Sequence, residues 1–344
     1  MKIVFLCRLF YPHIGGVERH VMEISTLLIK KGYEVTVITE ALPEAAGKLP
    51  HVPVNEVNGI KIYRISTGPD NTVKKFRIWR EMGSLKKIIR DADVVHCHDV
   101  FFWYLPFRFL YPTKPVFTTF HGYESYPITK SAIRVRKLSE KLSWGNICVG
   151  DFIPKWYGTK PTIVSYGGTD IPKNVSNLKS KKESAVFIGR LDEQTGVLTY
   201  TKAIEILRKK YPKFDLTFIG DGKYRKTIEK KFEVLGFQNE PEKYFQKYHF
   251  AFVSRYLSIL EAFAARRLVF AVYDNPVKED YLRLAPYSKW IVIENDPEKL
   301  AEKIAYYLEH PKEEQKMIEK GYEWVKKQTW EKVTDIYLSL WKRL

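Results

Sequence analysis

The chain has 344 residues, more than one hydrophobic core usually serves, so two units of roughly 150 residues each are expected. Hydrophobic residues make up 45 % and aromatic residues 15 %, which excludes a disordered chain. The formal net charge of +17 admits nucleic acid, anionic lipid or phosphorylated substrates as partners; the excess is spread almost evenly over the two halves, and there is no basic tail.

The opening "MKIVFLC" is too short for the apolar core of a signal peptide and runs at once into Arg8, so it reads as a first strand. "GGVERHVMEISTLLIKKG" follows as a helix with an apolar face at Val17, Val21, Ile24, Leu27 and Leu28, ending at Gly32. "YEVTVIT" is a second strand, and "VNGIKIYRI" reads as a hairpin turned by Asn58-Gly59. "KKFRIWREMGSLKKIIR" (74–90) is one basic amphipathic helix with Phe76, Trp79, Met82, Leu85 and Ile89 as its apolar stripe. "DVVHCH", "PVFTTFHG", "GNICVG" and "PTIVSYGG" are further strands, and a second basic helix carries Arg134, Arg136, Lys137 and Lys141. Continuous apolar strands alternating with helices predict a parallel sheet covered on both faces.

After "DIPKNVSNLKSKKES" (170–184), polar enough to read as a linker, the pattern restarts. "AVFIGR", "FDLTFIG", "HFAFVS", "LVFAVYD" and "WIVIEN" are strands, "GVLTYTKAIEILRKKY" is a helix, "DGKYRKTIEKKFE" is a loop and helix, and three helices close the chain. No apolar stretch reaches 18 residues, so no membrane-spanning helix is expected. Cys7, Cys97 and Cys148 lie far apart in apolar runs and read as buried reduced thiols of a cytosolic protein.

In doubly wound sheets ligands bind beyond the carboxyl ends of strands, so the informative residues are those just after them. Gly15-Gly16 opens a helix, which suits an anion on its bare N–H groups; a tight turn would need the same glycines. The missing G-x-G-x-x-G pattern argues against a dinucleotide. His121 closes a strand where it would meet a substrate hydroxyl, while His96 and His98 lack the spacing of a metal site. Arg190 ends "AVFIGR", where a planar guanidinium suits a diphosphate. Lys223 starts the helix after "FIGDG", and Asp221 reads as a turn residue. In "SRYLSILEAFAARR" Ser258 is a candidate helix cap, and Glu261 is a ribose ligand, a solvated helix acid or a partner for Arg266.

The ordered set "GGVERHV", "FHG", "VSYGGTD", "GRLDEQTGVLTYTKAI", "FIGDG" and "SILEAFAA" resembles glycosyltransferase family four, from about residue 1 to 343. The resemblance implies the α/β GT-B fold, two Rossmann-like doubly wound domains facing across a cleft. The N-terminal domain would span 1–168, a linker 169–184 and the nucleotide-sugar domain 185–328. A final helix, 329–344, would cross back to the first domain.

It also implies a retaining transferase using a nucleotide-diphosphate sugar, without a cofactor or divalent metal, and a glycan or lipid-linked acceptor rather than nucleic acid. By the same resemblance Gly15 and Gly16 lie near the donor and acceptor, His121 contacts the donor sugar and Arg190 neutralises the diphosphate. The Ser258-Ile259 backbone touches phosphate, and Glu261 holds the ribose. Three positions depart from the pattern: Thr195 replaces the usual lysine, Val253 stands eight before Glu261 where a glutamate is usual, and Arg266 replaces a glycine. Lys223, Arg255 or Arg266 would then supply the missing cation, or the chain is a catalytically impaired relative. The basic helices at 74–90 and 130–141, beside "FFWYLPFRFLY", allow a cytoplasmic protein peripheral on the inner membrane face; a solvated basic surface is the alternative.

Overall fold

The computed structural model describes residues 1–13, 15–41, 56–71, 73–172 and 181–342. Internal contacts divide the chain into a first unit, Met1–Ser165 with Trp330–Leu344, and a second, Tyr166–Thr329. The expected boundaries were 168 and 328, and the middle of the expected linker, 173–180, lies outside the described residues.

The first unit is built on eight strands, β1 (Lys2–Cys7), β2 (Glu34–Glu40), β3 (Glu56–Val57), β4 (Ile60–Ile65), β5 (Val94–His98), β6 (Val116–Phe120), β7 (Gly145–Val149) and β8 (Ile163–Ser165). They run in the order β3-β4-β2-β1-β5-β6-β7-β8. Neighbours are parallel except β3 and β4, a hairpin turned by Asn58-Gly59. Both turn residues have positive φ, 51° and 78°, as the right-handed twist of the flanking strands requires. The helices are α1 (Gly16–Lys30), α2 (Lys74–Ser84), α3 (Lys86–Asp91), α4 (Phe101–Leu110), α5 (Lys130–Leu142) and α6 (Phe152–Tyr157). The closing helix, Trp330–Trp341, packs in this unit against α1. β5, β6 and β7 are buried at every residue because helices cover both faces, so their side chains are sealed whether apolar or polar.

The second unit has six parallel strands, β9 (Lys181–Ile188), β10 (Asp215–Ile219), β11 (Glu233–Val234), β12 (Tyr248–Phe252), β13 (Leu268–Ala271) and β14 (Val292–Ile293), ordered β11-β10-β9-β12-β13-β14. Its helices are α7 (Val197–Leu207), α8 (Arg225–Ile228), α9 (Tyr256–Ala264), α10 (Pro276–Arg283), α11 (Pro297–Glu309) and α12 (Pro311–Val325). Phe187, Phe218, Phe250, Phe252 and Phe270, with Tyr200 of α7, fill the core. In each sheet the strand order reverses beside the first strand: between β1 and β5, and between β9 and β12. Connections leave such a point in opposite directions, and the gap is where a ligand fits. Gly220, at φ +133°, lets the turn after β10 close on the end of β9; a Cβ there would lie 1.9 Å from the Gly189 carbonyl oxygen.

Several expectations need correction. Lys181–Ser184, expected as linker, is the start of β9. The helix expected over 74–90 is two, α2 and α3, broken at Leu85 just after Gly83-Ser84, a pair of weak helix formers. The break turns Ile89 inward with Ile78 and Met82, while Phe76, expected in the apolar stripe, is 66 % exposed. "DGKYRKTIEKKFE" holds one helical turn, α8. The aromatic run at 101–110 is itself a helix that buries Phe101, Trp103, Tyr104 and Phe107. Arg136, expected on a basic surface, is buried: it donates to the Gly122 carbonyl and Glu124 and lies 3.9 Å over the Tyr157 ring. The three cysteines are free and buried.

Candidate active site

In the second unit both strands flanking the reversal are followed closely by an arginine. Arg190 follows β9, and Arg255 sits in extended backbone at the N-cap of α9, after β12. Arg190 Nη2 donates to Gln194 Oε1 at 3.0 Å and Arg255 Nη2 donates to the same oxygen at 3.3 Å. Two exposed guanidiniums thus converge on one neutral acceptor. The Asp192 carboxylate lies 3.3 Å from Arg190 Nε, and among the described residues Arg255 has no carboxylate partner. An anion with several oxygens would satisfy both forks better than one amide can.

The start of α9 lies beside them. Tyr256 N–H, its first helical donor, goes to Tyr281 Oη at 2.6 Å, and Ile259 N–H is already bonded to the Arg255 carbonyl. The donors left at this terminus are therefore Leu257 and Ser258. Ser258 is not the cap, because the helix begins two residues earlier, and the Ile259 N–H expected to touch phosphate is engaged within the helix. Lys278 of α10, with no motif to mark it in the sequence, is 3 % exposed and donates Nζ to the Ser254 carbonyl, bracing the residue before Arg255. Burial drives its pKa well down.

The other residues of interest separate clearly. Thr195 is buried, and its hydroxyl donates to the carbonyls of Arg190 (2.7 Å) and Asp192 (2.8 Å); it braces the turn and offers no cation. Lys223 is paired with Glu193, whose carboxyl Lys223 and Tyr224 hold down to about 2. Arg266 lies at the opposite end of α9 from Arg255, at φ +55°, with its guanidinium 3.9 Å over Tyr322. Its N–H and that of Arg267 bond to the Phe263 and Ala262 carbonyls, closing a left-handed helix end where glycine would be the relaxed choice. Of the three candidate cations only Arg255 joins Arg190. Glu261 is 6 % exposed, which excludes a solvated surface acid; a carboxylate so buried on an apolar helix needs bonded partners.

In the first unit Gly15 is the extended N-cap of α1, and a Cβ on it would lie 2.3 Å from Glu18 Oε2, whereas Gly16 faces open space. Glu18, 3.2 Å from His13, puts a carboxylate on the first turn of α1 and offsets the positive helix end. The bare Gly15 leaves room for the Glu18 carboxylate, whereas Gly16 would admit a side chain.

His121 ends beside β6. Its backbone N–H donates to both oxygens of Asp99 (3.2 and 3.3 Å), its Nε2 lies 2.8 Å from His98 Nδ1, and the edge-on His20 ring centroid is 4.8 Å away. Burial, with nearby His96 and Arg136, lowers the His121 pKa to about 3, and burial raises Asp99 to about 6. His121 is thus a neutral imidazole at physiological pH. Behind it, Trp341 Nε1 donates to His96 Nδ1 (3.1 Å), and His96 Nε2, Thr119 Oγ1, Tyr337 Oη and His20 Nε2 follow at steps of 2.8, 2.8 and 2.9 Å. His96 and His98 are therefore members of a hydrogen-bonded interior.

Two sequence families match the chain in register with the two units. Residues 14–157 match the family described as Glycosyltransferase Family 4, and residues 169–324 match Glycosyl transferases group 1. The chain belongs to glycosyltransferase family four. A phosphatidyl-myo-inositol mannosyltransferase from Mycolicibacterium smegmatis is 25 % identical over 245 residues, 64 % of this chain and 59 % of that protein. The chain thus matches a little under two thirds of that relative's length. Sucrose-phosphate synthase from Thermosynechococcus elongatus superposes with a TM-score of 0.77 at 15 % identity, covering 99 % of this chain and 98 % of that one. Anabaena Alr3699/HepE, solved with UDP and glucose, gives 0.75 at 14 % identity and covers both chains fully. These likenesses establish the fold, two parallel-sheet α/β units of the GT-B type.

Proposed function

We propose that this family member is a retaining glycosyltransferase that moves a sugar from a nucleotide-diphosphate sugar to a glycan or lipid-linked acceptor. The observation that carries the reading is the convergence of Arg190 and Arg255 on Gln194 Oε1, beside the free donors of α9. As the anomeric C–O bond breaks, negative charge grows on the departing diphosphate. Fixed guanidiniums and helix N–H groups aimed at that charge stabilise it without reorganising. The acceptor hydroxyl attacks from the face the diphosphate leaves, a phosphate oxygen takes its proton, and no protein nucleophile takes part. Two guanidiniums do the work a divalent ion does elsewhere, so turnover should survive chelation by EDTA.

The name of the Mycolicibacterium relative supports a lipid-linked acceptor. The impaired alternative rests on Thr195 and on Val253 in place of the first glutamate; Arg255 answers the first by bringing a second cation to Gln194. A thermal-shift panel of nucleoside diphosphates and their sugars tests the reading. One nucleotide should raise the melting temperature, and its sugar should be hydrolysed or transferred. Stabilisation without turnover would favour the impaired relative, and no stabilisation by any nucleotide would defeat both.

A lipid-linked acceptor also asks for a place at the membrane. No helix among the described residues is long and apolar enough to cross one. Phe76 on α2, Phe109 and Leu110 on α4, and Val135 and Leu138 on α5 are exposed large hydrophobic residues on neighbouring helices. Exposed Lys75, Arg80, Lys130, Arg134, Lys137 and Lys141 accompany them. Lys74 and Arg77 belong inward instead, on Glu40 and on the Thr67 and Pro69 carbonyls. Apolar side chains ringed by lysine and arginine suit the headgroup boundary of an anionic leaflet. The protein should sediment with vesicles containing phosphatidylserine and stay free of pure phosphatidylcholine; equal binding to both would count against this surface.

A further inference from the structure

The imidazole cluster behind His121 determines which of its nitrogens carries a proton. The indole N–H of Trp341 can only donate, so His96 Nδ1 accepts and the His96 proton resides on Nε2. His96 then donates to Thr119, Thr119 to Tyr337, and Tyr337 to His20 Nε2. Reversing the last two steps would leave the Thr119 hydroxyl proton without an acceptor in the chain. His20 therefore carries its proton on Nδ1, and its ring, held by Tyr337 of the closing helix, packs edge-on against His121 with an interplanar angle of 84°.

One proton lies between His98 Nδ1 and His121 Nε2, 2.8 Å apart. His98 Nε2 is buried without a partner. An orphaned N–H in that position is rarer and costlier than an orphaned lone pair. The proton is then on His98 Nδ1, His98 donates to His121, and His121 keeps its own proton on Nδ1.

We propose that His98 is a positioning residue that fixes His121 as an Nδ1–H donor, and that Tyr337 on the closing helix locks the orientation of that ring through His20. The proposal rests on the reading of the chain as a sugar transferase, in which His121 donates this hydrogen bond to a hydroxyl oxygen of the bound sugar. A histidine free to exchange tautomers would present a lone pair part of the time, and a hydroxyl would meet it with its own proton or shift its ring.

Nitrogen-15 NMR of the full chain tests the tautomer without any substrate. Wild-type His121 should show a protonated Nδ1 and a bare Nε2. His98→Leu should lose that preference, and His98→Asn, whose amide N–H can take the place of the imidazole donor, should retain it. A wild-type His121 protonated on Nε2 overturns the proposal, whatever the variants do.

In turnover, His98→Leu and Tyr337→Phe should each lower kcat by about tenfold, the worth of one hydrogen bond in a sheltered site. His98→Asn should recover most of the loss. Affinity for the nucleoside diphosphate should stay within twofold of wild type, because Arg190 and Arg255 are untouched. Normal turnover in His98→Leu overturns the positioning role. A wild-type chain that turns over no sugar defeats the transferase reading instead, and the NMR result then still decides the tautomer.

Discussion

Alanine at Arg190 or at Arg255 should weaken nucleoside diphosphate binding about ten- to a hundredfold, since a hydrogen bond to a charged group is worth about 1.5–3 kcal/mol. The effect on turnover should be larger, around a hundred- to a thousandfold for either, because the diphosphate gains charge as the sugar leaves. The double variant should bind nucleotide little better than an unrelated basic surface. Stability should barely change, because both guanidiniums are exposed and their shared partner is a neutral amide. Lys223→Ala and Arg266→Ala are the matched controls: each removes one positive charge, but these groups are engaged by Glu193 and by the Tyr322 ring. Both should bind and turn over nearly as wild type. Calorimetry on wild type and the five variants checks the set, and a double variant within twofold of wild-type affinity would remove the arginine pair from the site.

Acid should unfold the first unit. His20, His96 and His98 have pKa values driven well below 6.5 by burial, and His121 falls to about 3. Below pH 6.5 the unfolded chain gathers protons on these four imidazoles while the folded chain cannot, so stability falls as pH falls. Asp99 acts the other way. Its folded value of about 6 exceeds the ordinary 3.8 of an aspartate, so between those limits the folded state holds one proton the unfolded state lacks. Three protons net remain near pH 5, which makes the slope about 4 kcal/mol per pH unit. Against a typical total of about 5–15 kcal/mol, this predicts cooperative loss of the first unit within one to two units of mild acidification. Denaturant midpoints at pH 7.5, 6.5 and 5.5 measure it; equal midpoints at 7.5 and 5.5 would mean the imidazoles are not held neutral by the fold.

The alternation of apolar runs and helical periods made the strands legible. Arg190 and His121 could be picked out because each closes a strand-like run, while Arg255 stood only as one of three cations able to replace the one missing at Thr195. What escaped the sequence are relations between distant positions. Nothing near Ser254 announces that Lys278 will reach its carbonyl, nor does anything near Thr119 point to Tyr337. Gln194 is an unremarked polar residue until two guanidiniums meet on it. Periodicity also ranks a helix face by hydropathy and is blind to which cations find backbone carbonyls. Arg77 and Arg136 therefore looked like surface charge, and Phe76 looked like core. Arg266 was judged by its charge, when its left-handed backbone sends the side chain to Tyr322.

The closing helix gives the first unit an unusual history during synthesis. The second unit, 166–329, is one uninterrupted stretch and can fold while the ribosome is still working. The first unit emerges earlier but lacks Tyr337 and Trp341 until the closing helix has been made, and without them His20, His96 and Thr119 face an open seam. The half that is made first is therefore finished only after the second, and a ribosome stalled before Trp330 would hold a chain with a complete second unit and an unsealed first one.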